Sequence, residues 1–135
     1  MKVEISRVNE ALLLEAKDEN GNAVMIEGSA GIGGSGKGVL PTDLLLMAIG
    51  SCSSMDVLSI LKKQRQSPED YTVSVSGEKE KIGSFSPFTK IHLHFRAKNV
   101  EKGKLENAIR LSLKKYCSVS YMLEKTAAIS WSCEV

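Results

Sequence analysis

The sequence predicts an α+β protein. Three observations carry that class: short alternating strands near the N-terminus, one unusually long apolar helix starting at Pro41, and a second strand group interrupted by amphipathic helices. The expected order is three strands, the long helix, two strands, two helices and a strand. The strands are expected to pair as antiparallel hairpins rather than βαβ units, giving antiparallel sheets around a long central helix.

Val3 and Ile5 alternate with polar residues in the first strand. Leu12, Leu14 and Ala16 share one face of the second, and Val24 and Ile26 one face of the third. Asn20-Gly21 predicts a two-residue turn between them, because both residues tolerate positive φ. Residues 28–38 hold too many glycines for regular structure and read as a connector reaching residue 40. Pro41 suits the first position of a helix, where its missing N–H is not needed. Asp43 brings a negative charge to that end, and Lys62, Lys63 and Arg65 bring positive charge to the other. The helix is expected to reach about Gln66, where Ser67-Pro68 stops it. Roughly 25 residues of helix span about 37 Å, which is long for a chain this small. Residues 44–49 are apolar on every side, so that stretch is expected to be buried all round. One small sheet cannot wrap such a helix, and a second subunit is expected to cover it.

Tyr71, Val73 and Val75 mark a fourth strand. Ile91, Leu93 and Phe95 mark a fifth, with Lys90, His92, His94 and Arg96 on its other face. A helix over residues 101–115 carries Leu105, Ala108, Ile109 and Ser112 at helical spacing. Ser118 is the expected N-cap of a short helix over residues 118–125. Residues 127–135 close the chain as a strand with Ile129, Trp131 and Cys133 on one face.

The 135 residues suit a single domain spanning 1–135. The net charge of +2 comes from 18 basic and 16 acidic residues scattered along the chain, with no basic run to track a phosphate backbone, so no nucleic acid partner is expected. The opening MKVEISRVNE has no apolar stretch of the secretory kind, and a cytoplasmic location is expected. Residues 44–61 carry Gly50, Asp56 and four serines, which suits a buried helix and no membrane. Three cysteines is an odd count, which argues for reduced thiols and for any disulfide being transient and functional.

The cysteines separate by context. Cys133 falls in the alternation of Ile129 and Trp131 and behaves as a core hydrophobe. Cys52 lies mid-helix between Ser51, Ser53 and Ser54, whose small side chains leave space for a ligand or a second backbone. Cys117 ends the second helix, where the amides of the next helix can stabilise a thiolate. Asp56, one turn beyond Cys52, opposes a thiolate there, so a cation is required. Arg65 is more than three turns further along the same helix and cannot supply it within that helix.

Two motifs are weaker. Gly31 to Lys37 fits the first seven positions of a phosphate-binding G-x-x-x-x-G-K loop, but Gly38 stands where Ser or Thr is required and the helix starts only at Pro41. A linker is expected there. His92 and His94 share a strand face, but no partner carboxylate or thiol is evident, so no metal site is predicted.

Residues 41–66, PTDLLLMAIGSCSSMDVLSILKKQRQ, join a proline, an acid and an apolar run to G-x-C. Residues 115–125, KYCSVSYMLEK, add C-S-V-S-x-x-L. With these motifs, and with its element order along the whole chain, the sequence resembles the OsmC/Ohr family of osmotically induced and organic-hydroperoxide-resistance proteins. The resemblance implies an intertwined homodimer with the long helices at its centre and two active sites at the subunit interface. It implies a stress-response thiol peroxidase that needs no cofactor or metal. Cys52 matches the family's peroxide-attacking cysteine and Cys117 its resolving cysteine. The implied partners are a small organic hydroperoxide and an external dithiol reductant. Two positions depart from the family. No arginine lies between Arg7 and Arg65, where the peroxidases carry an activating one, and Thr42 follows the proline where they carry glutamate. The sequence looks closest to a branch that keeps the cysteines without the arginine–glutamate pair. Arg7, Lys37 or Arg65 is then expected to supply the charge, with Asp43 standing one position after the missing glutamate. The alternative is a non-catalytic dimer holding a small apolar or thiol-reactive ligand near Cys52.

Overall fold

Strands β1 (Val3–Arg7), β2 (Leu13–Asp18) and β3 (Ala23–Glu27) form an antiparallel meander, as the alternation predicts. The computed structural model describes residues 1–135 as two compact units, and the meander belongs to the first, Met1–Leu45. Pairing of Ile5 with Ala16, Ala16 with Val24 and Leu14 with Ile26 gathers these side chains on one face. Leu12 precedes β2, and the buried leucine is Leu13 on the opposite face. The β2–β3 turn is one residue longer than Asn20-Gly21 predicts. Asp18 pairs with Asn22 through a 3.0 Å N–H···O bond, so Glu19, Asn20 and Gly21 form the loop. Only Gly21 of the three has positive φ, at 84°. The Asp18 carboxylate fixes the longer loop by accepting the amides of Asn20 and Asn22, each at 2.9 Å.

The glycine-rich segment is organised around an internal carboxylate. It contains a short 3-10 turn, Ala30–Ile32. Buried Glu27 accepts the Ser35 amide at 2.8 Å, the Ser35 hydroxyl at 2.9 Å and the Gly38 amide at 3.1 Å. These bonds, the Ser35 amide foremost, hold the Glu27 carboxyl at about 2, against an ordinary 4.5. The amides that a phosphate would need are already turned on Glu27, which removes the nucleotide-loop reading. A Cβ at Gly34 would lie 1.9 Å from the Gly28 carbonyl oxygen, so only glycine fits there.

Helix α1 (Pro41–Lys63) begins in the first unit and continues into the second, Leu46–Val135. It stops short of Gln66. Arg65 takes a left-handed φ of 58°, the Gln66 amide donates to Leu61 O and the Arg65 amide to Lys62 O. This is a Schellman ending, with arginine where glycine is usual.

The second sheet holds β4 (Glu69–Lys79), β5 (Phe88–Lys98) and β6 (Ala128–Glu134) in that order. β4 and β5 are antiparallel, but β6 runs parallel to β5, with Leu93 opposite Trp131. The expectation of antiparallel sheets without βαβ units therefore fails at this strand. Helices α2 (Lys102–Leu111) and α3 (Ser118–Leu123), joined by a π turn at Ser112–Tyr116, carry the chain back to the start of β5. A crossover of that length returns the chain in the same direction. Cys117, not Ser118, is the N-cap of α3.

The core of this unit combines Ile49, Val57 and Leu61 of α1, Ile91, Leu93 and Phe95 of β5, and Leu105, Ala108 and Ile109 of α2. Cys133 flanks it, half-buried, as expected of a core hydrophobe. α1 has the length and composition of a membrane span, with a mean hydropathy of 1.8 over its most apolar stretch, and its Ile49, Val57 and Leu61 are fully buried in the core of the second unit. A Cβ at Gly50 would come within 2.9 Å of Val75, so the helix packs directly on β4. Tyr71 donates its hydroxyl to Ser54 at 2.9 Å across the same contact. The small residues of α1 thus receive the chain's own sheet. The helix is not covered all round: Met47, Met55 and Leu58 remain exposed along one stripe.

Candidate functional site

α1 and the segment between α2 and α3 place Cys52 and Cys117. Cys52 is half-buried in the middle of α1. The π turn is closed by a 2.7 Å bond from the Cys117 amide to Ser112 O, five residues back. Its extra residue sets Cys117 at the mouth of α3 instead of continuing α2. Ser112 clamps the turn to α1, donating its hydroxyl to Asp56 Oδ2 at 2.9 Å, with Ser53 O at 3.3 Å. Asp56 is therefore an acceptor for the neighbouring segment. Ser120 completes the support with a hydroxyl bond to Leu113 O at 3.2 Å.

Across this clamp lie Cys52 and Cys117, both free thiols, close enough for Cys52 to raise the Cys117 thiol. Cys117 is 3% exposed, and its Sγ accepts the Ser120 amide at 3.3 Å. Burial pushes the Cys117 thiol up, the Ser120 N–H opposes the shift, and contact with Cys52 adds to it, for a result of about 11. Cys117 therefore keeps its proton at neutral pH. A cavity of about 170 Å³ opens beside Cys117, lined in part by Lys114, Lys115, Tyr116 and Tyr121. Burial also raises the Cys133 thiol, with the Glu106 charge adding to the effect and Lys102 opposing it.

The other predicted site residues have local tasks. Asp43 Oδ2 accepts the Leu40 amide at 3.3 Å, which caps the start of α1. Arg7 spends its guanidinium on the carbonyls of Glu10 and Ala11 in its own loop. Lys37 is exposed in the glycine segment. Arg65 occupies the Schellman position, roughly 20 Å along the helix direction from Cys52. Sequence reasoning missed Ser53 O, Ser112 and Ser120 as supports. The C-S-V-S string holds Ser120, but nothing in the sequence announces the π turn that aims it.

The OsmC-like protein family matches residues 34–132, which contain both cysteines and the clamp. Protein YhfA of Escherichia coli (strain K12) is 36% identical over 128 residues, covering 93% of this chain and 92% of the relative. A solved hypothetical protein from Aquifex aeolicus VF5 is 33% identical with a TM-score of 0.80, covering 98% of this chain and 95% of its own. At the level of fold, an organic hydroperoxide resistance protein OsmC from Legionella pneumophila matches with a TM-score of 0.75 and 14% identity, over 100% of this chain and 98% of its own. OhrB of Bacillus subtilis matches with 0.70 and 17%, over 98% and 96%. With most of its length matched by the family, and with its sheets, long helix and cysteine-bearing segments in place, the chain belongs to the OsmC family.

Proposed function

We propose that this chain is a thiol-dependent peroxidase that reduces organic hydroperoxides through Cys52 and Cys117 in a stress response. The observation that carries the reading is the proximity of these two free thiols, which lie far apart in sequence. The Cys52 thiolate attacks the distal peroxide oxygen, the O–O bond breaks, and the alkoxide leaves as an alcohol after taking a proton. Cys52 becomes a sulfenic acid. Cys117 then displaces water from it to give a disulfide, and an external dithiol reduces the pair while being oxidised itself. The names of the Legionella and Bacillus proteins support the substrate class.

The working unit in this reading is a cytoplasmic homodimer. Met47, Ser51, Met55 and Leu58 form an exposed stripe on α1 beside Cys52, and a second copy covers it. The cation facing Cys52 is Arg7, Lys37 or Arg65 of that second copy. The test is consumption of cumene hydroperoxide with dithiothreitol as reductant. Turnover is expected in the wild type, and Cys52→Ser is expected to abolish it. Equal rates for the two proteins overturn the reading.

A second reading is favoured by one observation. Cys117 holds its proton up to about 11. In that reading the dimer holds a small apolar or thiol-reactive molecule near Cys52 without turnover. Stoichiometric, Cys52-dependent retention of such a molecule with no peroxide consumption distinguishes it.

A further inference from the structure

The outer face of the second sheet carries a continuous chain of side-chain hydrogen bonds. Parallel pairing sets His92 opposite Ser130, His94 opposite Ser132 and Arg96 opposite Glu134. His92 Nδ1 lies 2.7 Å from Ser130 Oγ, and His92 Nε2 lies 2.9 Å from Ser132 Oγ. His94 Nδ1 lies 2.7 Å from the same Ser132 Oγ, and His94 Nε2 lies 3.3 Å from Glu134 Oε1. Arg96 flanks the carboxylate, with Nε 3.8 Å from Glu134 Oε1 and 3.4 Å from Thr72 Oγ1.

The end of the chain fixes its direction. A carboxylate only accepts, so in its neutral form His94 carries its proton on Nε2 and donates it to Glu134. His94 Nδ1 is then an acceptor, and the Ser132 hydroxyl must donate to it. Ser132 has a single proton, so His92 reaches the same oxygen as a donor through Nε2–H. His92 Nδ1 in turn accepts from Ser130. One carboxylate thereby sets the tautomer of both imidazoles.

Every role needed for nucleophilic attack is then filled around Ser132. His94 is within reach of the hydroxyl proton, and Glu134 orients His94 on its far side. His92 Nε2–H points at the serine oxygen, where it can turn to a neighbouring oxyanion. On β4, the residues facing His94 and His92 are Ser74 and Ser76, so no bulky side chain stands over the site from that strand.

We propose that Ser132 is an acyl-accepting nucleophile, with His94 as its base, Glu134 as the residue that orients the base and His92 as an oxyanion donor. The substrates are activated esters of short acyl chains, because the face is open and offers no apolar wall to a longer one. Ser132 Oγ bonds to the acyl carbon and its proton passes to His94 Nδ1. The C–O bond to the alcohol then breaks, and His94 returns the proton to the leaving oxygen. Water, activated by His94, cleaves the serine ester to the free acid and restores the serine.

The experiment uses the full chain with Cys52, Cys117 and Cys133 all changed to serine, so that no thiol accepts the acyl group and the outcome is independent of the peroxidase reading. This protein is first checked for a native circular dichroism spectrum. If it is not native, the same measurement is made on the wild-type chain with its thiols blocked reversibly. p-Nitrophenyl acetate is added, nitrophenolate release is followed, and the acetyl group is located by peptide mapping. The expected result is acetylation at Ser132, lost in Ser132→Ala. His94→Gln is expected to slow it by about a hundredfold, the lower end of general-base catalysis. His92→Gln is expected to lower the rate while acetylation stays at Ser132. Acetylation confined to lysines or to other serines, or a rate unchanged by Ser132→Ala or His94→Gln, overturns the proposal.

Discussion

The two three-stranded sheets of this chain are held in different ways. In the second unit, β5 alone buries Ile91, Leu93, Phe95 and Ala97 beneath two helices. In the first unit, β1 is exposed along its whole length, and the buried residues are Leu13, Ile26 and Glu27. The second sheet rests on apolar packing, which is non-directional and shared among many neighbours. The first rests on a directional hub in which one carboxylate gathers the amides of an otherwise irregular segment. A short meander with so little apolar burial keeps its shape through specific polar contacts, each of which a single substitution can remove.

Three changes sharpen or break this contrast. The largest effect is expected for Phe95→Ala, which empties a fully buried site in the second core. A loss of about 3–5 kcal/mol in global stability is expected by denaturant unfolding. A loss below about 1 kcal/mol would show that the second unit does not depend on that core. Next is Gly34→Ala, whose methyl would stand 1.9 Å from the Gly28 carbonyl oxygen. Hydrogen exchange should show lost protection across residues 27–39 with little change in β5. Equal loss in both units would mean they unfold as one. The smallest effect is a titration of the wild type. Glu27 is an acid whose folded value, about 2, lies below its ordinary 4.5. Its contribution is therefore complete above about 4.5 and lost as pH falls from there toward 2. Amide protection at Ser35 and Gly38 should fade across that window, and Glu27→Gln should remove the dependence.

Much of the element order was legible because period-two and period-3.6 patterns are local, and α1 was bounded by its proline and its basic last turn. The direction of β6 was not. Its residues alternate identically whichever way the strand runs, and only the length of the α2–α3 crossover decides. That miss also hid the partner of His94, because Glu134 is brought across only by parallel pairing. The composition of the glycine segment shows a connector but not that Glu27, just before it, takes its amides. At the thiol site the pairing of Cys52 with Cys117 came from family resemblance. The Ser112–Asp56 clamp, which rests on a π turn, left no periodic trace.

The sulfur that caps α3 has a consequence for how this protein can be observed. A serine or aspartate cap keeps its acceptor whatever happens nearby. Here the acceptor for the Ser120 amide is a thiol sulfur. Alkylation, oxidation or metal capture at Cys117 alters the electron pair that the amide points to. The Ser120 N–H resonance is thus a built-in reporter of chemistry at that sulfur, readable by NMR without any attached label.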